Sequence, residues 1–188
     1  MTIRAAIGLG SNLGDRDANI RAAIAGLDEL GTLLATSSLY STAPVGGPPQ
    51  DDYVNAVVLL DTNLEPQALL EGAMRIERSM GRERRERWGP RTIDVDILLY
   101  GDQTVDDTGL TIPHPELTKR RFVLEPLVEV WPDAKLPDGT VLAPLLAGVS
   151  SQEVHRIGSP WGSRAALVLF ALVAAAAVLV WWLVGALL

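Results

Sequence analysis

The chain has 188 residues, enough for one domain with a sizeable core and one appendage but not for two full domains. A formal net charge of -7 excludes a general nucleic-acid binder, which needs excess Lys and Arg to displace counterions, so any phosphate site must be a local basic cluster. The absence of cysteine excludes a disulfide framework and thiolate metal sites.

The first residues lead into a strand-like run without an apolar signal core, so secretion is not expected. Residues 3–9 are short and apolar and meet Gly10-Ser11-Asn12, which predicts a buried strand ending in a turn. Asp15 can cap the next helix, whose Ile20, Ala23, Ile24 and Leu27 share one face, with Gly31 at its end. Residues 33–40 and 53–60 read as two strands, joined by a mobile loop through Gly46-Gly47-Pro48-Pro49. Pro66 suits the first position of a second helix carrying Leu69, Leu70, Ala73, Ile76 and Met80 and running to Gly81.

Residues 92–100 predict the next strand, and Ile112-Pro113-His114-Pro115 a rigid extended segment. A last helical stretch covers 121–130 and stops at Pro132. The order strand, helix, strand, strand, helix, strand predicts an α+β fold of ferredoxin-like type, an antiparallel sheet with helices packed on one face.

The expected division is a catalytic domain over 1–150, a linker over 151–164 and a transmembrane helix over 165–188. No residue of 165–188 is charged, and as a helix this run would span ~36 Å against a hydrocarbon core of ~30 Å. Trp181 and Trp182 suit an interfacial belt. Arg156 and Arg164 flank the near side, which places the domain in the cytoplasm by the positive-inside rule.

The segment GRERRERWGPRTIDVDILLY, residues 81–100, joins an arginine cluster to a pair of acids. Asp94 and Asp96 lie two apart on an expected strand, so both carboxylates share one face, with backbones about 7 Å apart, and can hold hard cations such as magnesium. Ile93, Val95 and Ile97 point the other way, into the core. Arg82, Arg84, Arg85, Arg87 and Arg91 can grip phosphate oxygens, and Trp88-Gly89-Pro90 reads as a lid that excludes water. Gly8-x-Gly10-x-x-x-Gly14 misses the dinucleotide fingerprint by one residue, and there is no P-loop.

GLGSNLGDR, STAPVGGPPQDDYVNAVV, GRERRERWGPRTIDVDILLYG and LTIPHPELTKRRFVLEPL, in this order, resemble the hydroxymethyl-dihydropterin pyrophosphokinases of folate biosynthesis over residues 2–150. The resemblance implies transfer of pyrophosphate from ATP to 6-hydroxymethyl-7,8-dihydropterin. It further implies two magnesium ions on Asp94 and Asp96, and Arg82 and Arg91 as the catalytic arginines. ATP would meet Glu77, Arg84, Trp88, Ile97, Thr111, His114 and Arg120. The pterin would meet Thr42, Pro44, Val45, Tyr53, Asn55 and Phe122, an aromatic and amide set suited to a flat heterocycle.

Met74, Gly109 and Pro115 depart from the family's pattern near the nucleotide, so weaker ATP binding is expected. Expected partners are these small molecules, the membrane through 165–188 and other folate-pathway enzymes. A two-metal hydrolase could use the same acids but has no need of the pterin-like segment, and an inactive membrane-tethered scaffold has no need of the acids and arginines.

Overall fold

The computed structural model describes residues 1–46, 48–81 and 89–161. Arg82, Arg84 and Trp88, and the apolar run 165–188, lie outside the described residues. No helix among the described residues is long and apolar enough to cross a membrane.

β1 (Ile3–Ser11) runs through the middle of a six-stranded sheet, antiparallel to β4 (Tyr53–Thr62) on one side and to β5 (Asp94–Tyr100) on the other. Between β1 and β4 come α1 (Arg16–Leu27), β2 (Thr32–Thr36) and β3 (Leu39–Thr42). Asp15 caps α1 by accepting from the Ala18 N–H at 3.0 Å, and Ile20, Ala23, Ile24 and Leu27 form its buried face. The helix stops at Leu27, four residues before the glycine expected to end it. Gly31 serves a close approach instead, since a Cβ there would lie 2.4 Å from the Asp61 carbonyl oxygen.

The single strand expected over 33–40 is two strands that both pair with β4. Ser37 separates them: its N–H donates to Val57 O at 2.9 Å, and its hydroxyl oxygen accepts from Val57 N–H at 2.9 Å. A side chain thus replaces one rung of the ladder. α2 (Pro66–Ser79) starts at its proline, buries Leu69, Ala73 and Ile76, and is followed by Gly81 at φ 74°.

After β5 come the hairpin β6 (Val105–Asp107) and β7 (Leu110–Ile112), α3 (Arg121–Val130), a 3-10 segment (Ala143–Val149) and β8 (His155–Gly158). The sheet order is β5-β1-β4-β3-β8, with β2 also beside β4, and every pairing is antiparallel. The expected succession of elements is present, but the helices do not all lie on one face. α1 and α2 pack with Ala5, Ile7, Leu9, Val95 and Ile97, whereas α3 and the 3-10 segment pack with Ala6, Val57, Leu59, Leu98 and Leu99. β1 and β4 are apolar on both sides, so neither face can be left to water. A bulge at Leu98, opposite the Ala6 to Ile7 step, lets two successive residues of β5 face α3.

Within the expected linker over 151–164, residues 155–158 form β8, which extends the sheet by pairing with β3. Glu129 of α3 fastens this corner. It accepts from Ser38 N–H at 2.9 Å, Ser38 Oγ at 2.7 Å, Tyr40 Oη at 2.9 Å and Arg156 Nη2 at 3.2 Å, and Arg156 Nε donates to Ser38 Oγ at 2.7 Å.

Candidate active site

α3 is too short to cover its face of the sheet, and the part left open forms a cavity of about 350 Å³. Its floor is Gly8 and Gly10 of β1, Tyr53, Asn55 and Val57 of β4, and Asp94, Asp96 and Leu98 of β5. Phe122 and Val123 close one wall, and Thr42, Val45 and Gln50 bring the loop after β3 to the other. The glycines keep the floor low: a Cβ on Gly10 would lie 3.3 Å from Asn55 Oδ1, and one on Gly8 would lie 3.2 Å from Leu98 Cδ2.

Strand alternation brings the two acids to the cavity together, while Ile93, Val95 and Ile97 are buried on the opposite side. Asp94 is ion-paired with Arg91, which also lines the cavity. Two same-face carboxylates beside an open volume fit magnesium, a hard cation that takes one or two carboxylates and fills its other positions with water and phosphate oxygens. No group of three or more His, Cys, Asp or Glu able to hold a metal occurs among the described residues, so the fit rests on this pair.

His114 and Arg120 stand on the rim near the acids. The His114 N–H donates to Leu98 O at 3.0 Å, and its Nδ1 accepts from Glu116 N–H at 3.2 Å, which leaves Nε2 as the protonated nitrogen of the neutral ring. Burial, and then the Arg120 charge, push the imidazole below its ordinary pKa. Arg120 stacks over Phe122 at 5.8 Å and meets Glu116 at 3.5 Å. On the floor Asn55 donates from Nδ2 to Thr42 Oγ1 at 2.8 Å.

The cavity thus brings together Thr42, Val45, Tyr53, Asn55, Arg91, Asp94, Asp96, His114, Arg120 and Phe122. Pro44, Glu77, Ile97 and Thr111 do not line it. Glu77 is buried behind β5, where its carboxylate accepts from Val95 N–H at 2.9 Å, and Ile97 is 3% exposed in the core. Thr111 is exposed on β7.

Sequence reading missed Gly8 and Gly10 as floor positions, Gln50, and Asn12, which is 1% exposed beneath the rim. The available signal was a pair of polar residues, Ser11-Asn12, directly after an apolar strand.

Paired acids beside an arginine on an open sheet face, next to an aromatic and amide pocket, define a site of the phosphoryl-transfer class. Residues 6–132 match the model of the 7,8-dihydro-6-hydroxymethylpterin-pyrophosphokinase (HPPK) family, and the chain belongs to that family. It is 43% identical over 159 residues to the 2-amino-4-hydroxy-6-hydroxymethyldihydropteridine pyrophosphokinase of Pseudomonas aeruginosa, covering 84% of this chain and 98% of that protein. The enzyme of the same name from Haemophilus influenzae is 43% identical over 157 residues, covering 82% and 98%.

Among solved structures, the wild-type HPPK-DHPS of Plasmodium falciparum superposes with a TM-score of 0.62 at 17% identity, over 79% of this chain and 45% of that one. Its S436F/A437G/A613S triple mutant gives 0.64 at 18% identity, over 79% and 44%. This chain therefore spans less than half of those solved chains, and at such identity the likeness concerns the fold alone.

Proposed function

We propose that this chain transfers the pyrophosphoryl group of ATP to the hydroxymethyl oxygen of 6-hydroxymethyl-7,8-dihydropterin, giving AMP and the pterin diphosphate in folate biosynthesis. One observation carries the reading. A single cavity holds Tyr53, Asn55 and Phe122, suited to a flat heterocycle, together with Asp94, Asp96, Arg91 and His114, suited to a polyphosphate.

In the reaction the hydroxymethyl oxygen attacks the β-phosphorus, the bond from that phosphorus to the α-bridging oxygen breaks, AMP leaves with the electron pair, and the hydroxyl proton passes to solvent. Asp94 and Asp96 would hold two magnesium ions, which supply neutralisation of the phosphate charge. Arg91 binds the moving group through a planar fork, and its pairing with Asp94 sets the guanidinium at the cavity before substrate arrives. Tyr53 and Phe122 flank the ring, Asn55 reads its amide edge, and Thr42 and Val45 complete the pocket, with Pro44 beside Val45 in the same loop but outside the lining. Neutral His114 donates from Nε2 to phosphate beside Arg120.

β5 is the outer strand on its side of the sheet, and Val95 N–H is turned to its free edge, where Glu77 takes it. Ile97, two residues on, presents its main chain to the same edge, so ATP would meet Ile97 through backbone atoms, with Glu77 and Thr111 on that outer side. The roles of Arg82 and Arg84 in gripping phosphate, and of Trp88 in a lid, rest on the motif they share with the family.

We propose further that the catalytic domain includes β8, and that the run 165–188, which lies outside the described residues, serves to hold it at the cytoplasmic face of a membrane. The uncharged length of that run supports the span.

The test is a magnesium-dependent AMP-release assay with and without dihydropterin. AMP appearing only with pterin is expected, and inorganic phosphate released from many esters would overturn the reading in favour of a hydrolase. Protease digestion of membrane vesicles tests the anchor: a domain shielded in the lumen, or recovered wholly without membrane, would refute it.

A further inference from the structure

Asn12 follows β1 directly and is buried, and the reaction described above gives it no task. Its main-chain N–H donates to Arg91 O at 3.0 Å, and its Oδ1 accepts from Arg91 N–H at 2.7 Å. Both main-chain groups of the catalytic arginine are therefore held by one residue. The other end of the same amide points to the loop after β3, where Nδ2 donates to Gln50 Oε1 at 2.9 Å and to Asp51 O at 3.3 Å. Tyr53 Oη donates to the same Gln50 oxygen at 3.4 Å, and Arg16 Nη1 anchors the loop again at Asp52 O, 2.7 Å away.

The amide has only one workable orientation. The Arg91 N–H can only donate and the Asp51 carbonyl can only accept, so the oxygen must face Arg91 and the nitrogen must face residues 50–51. A carboxylate at position 12 would keep the first contact and lose the second, and an alanine would lose both.

We propose that Asn12 is a positioning residue tying the Arg91 segment to residues 50–52, so that pterin seated against Tyr53 and polyphosphate gripped by Arg91 tighten each other's binding. The coupling is reciprocal, as any linkage between two binding equilibria must be. It rests on the roles given above to Arg91 and Tyr53, and it adds the route by which the two substrates sense one another.

The experiment compares the full-length wild type, Asn12→Asp and Asn12→Ala. Amide hydrogen exchange is followed at Arg91 and at residues 50–52, and binding of magnesium with α,β-methylene-ATP is measured with and without dihydropterin beside single-turnover rates. In Asn12→Asp, exchange should rise at 50–52 alone, the pterin KM should rise about tenfold, and the single-turnover rate should stay within about threefold. In Asn12→Ala, exchange should rise at both segments, the single-turnover rate should also fall roughly 10–100-fold, and the mutual tightening of the two ligands should fall towards unity.

Two variants that loosen the fold evenly, with single-turnover rates and ligand coupling like wild type, would overturn the proposal and leave Asn12 a packing residue. Should the wild type release no AMP with pterin, the substrate assignment falls, yet the exchange measurement still decides the tie. Unchanged exchange at Arg91 and 50–52 in both variants would refute it, and segment-selective exchange would uphold it.

Discussion

Removal of the Glu129 carboxylate, by Glu129→Ala, attacks the corner where α3, β3 and β8 meet. Ser38 N–H, Ser38 Oγ and Tyr40 Oη all donate to it, and Ser38 and Tyr40 are 6% and 4% exposed, so their donors have little access to water once it is gone. Hydrogen bonds to a charged group contribute about 1.5–3 kcal/mol each, but the three share one acceptor group and do not add in full. Glu129 is itself 29% exposed, so water can enter part of the gap, and about 2–4 kcal/mol is the expected loss. Arg156 adds little, because it is 67% exposed and its pair with Glu129 is screened.

The assay is urea unfolding of the chain ended after Trp161, with wild type, Glu129→Ala and Arg156→Ala compared at equal m-values. Glu129→Ala should lose several times as much stability as Arg156→Ala, which should lose no more than about 1 kcal/mol. A Glu129→Ala midpoint within the error of wild type would refute the reasoning and show that α3 holds its face by apolar contact alone.

Arg91→Ala should leave the binding of each ligand alone largely intact, remove the mutual tightening of the pair and lower the single-turnover rate about 10²–10³-fold, as for a group acting on charge that develops in the reaction; an unchanged rate would contradict its role. Asp94→Asn should abolish turnover and shift the magnesium dependence to higher concentration, and near wild-type turnover at ordinary magnesium would discard the metal assignment. Tyr40 is raised above its ordinary pKa, first by burial and then by its hydrogen bond to Glu129, so its neutral form is favoured in the fold. Its stabilising contribution is complete below pH ~10 and is lost as pH rises towards the folded pKa, because the unfolded chain releases the proton first. Denaturation midpoints at pH 9 to 11 should therefore fall more for wild type than for Tyr40→Phe, and parallel curves would sink the linkage.

Periodicity made most elements legible, since α1, α2 and α3 each place apolar residues at helical spacing and β5 alternates acids with aliphatic residues. It could not say which face of the sheet a helix covers, because Leu124 and Leu127 would suit either. The break at Ser37 escaped because strand propensity does not register a hydroxyl taking the place of a backbone acceptor. β8 escaped because its four residues are all exposed and carry no alternation.

In the site, Asp94, Asp96 and Arg91 could be argued from residue type and spacing, whereas Tyr53, Asn55 and Phe122 came from family resemblance. The Ile97 expectation shows a limit of that transfer, since a position can serve a ligand through its main chain while its side chain lies in the core. Asn12 was illegible because its partners, Gln50, Asp51 and Arg91, are 38, 39 and 79 residues away in sequence.

The bulge at Leu98 sets the tolerance of β5 to changes in length. Upstream of it the side chains of 94 and 96 face the cavity, and downstream Tyr100 turns to the α1 and α2 side, where its hydroxyl donates to Leu64 O at 2.8 Å. An unbroken pleat would put positions 94, 96 and 100 on the same side. Deleting Leu98 itself would leave an unbroken pleat with the acids and the tyrosine still on opposite sides, whereas deleting one residue from the regular stretch 94–97 while the bulge stays would either invert the acids into apolar packing or expel the tyrosine from it. The strand can be lengthened or shortened only in steps that keep the phase at both ends, which makes its residue count as constrained as its composition.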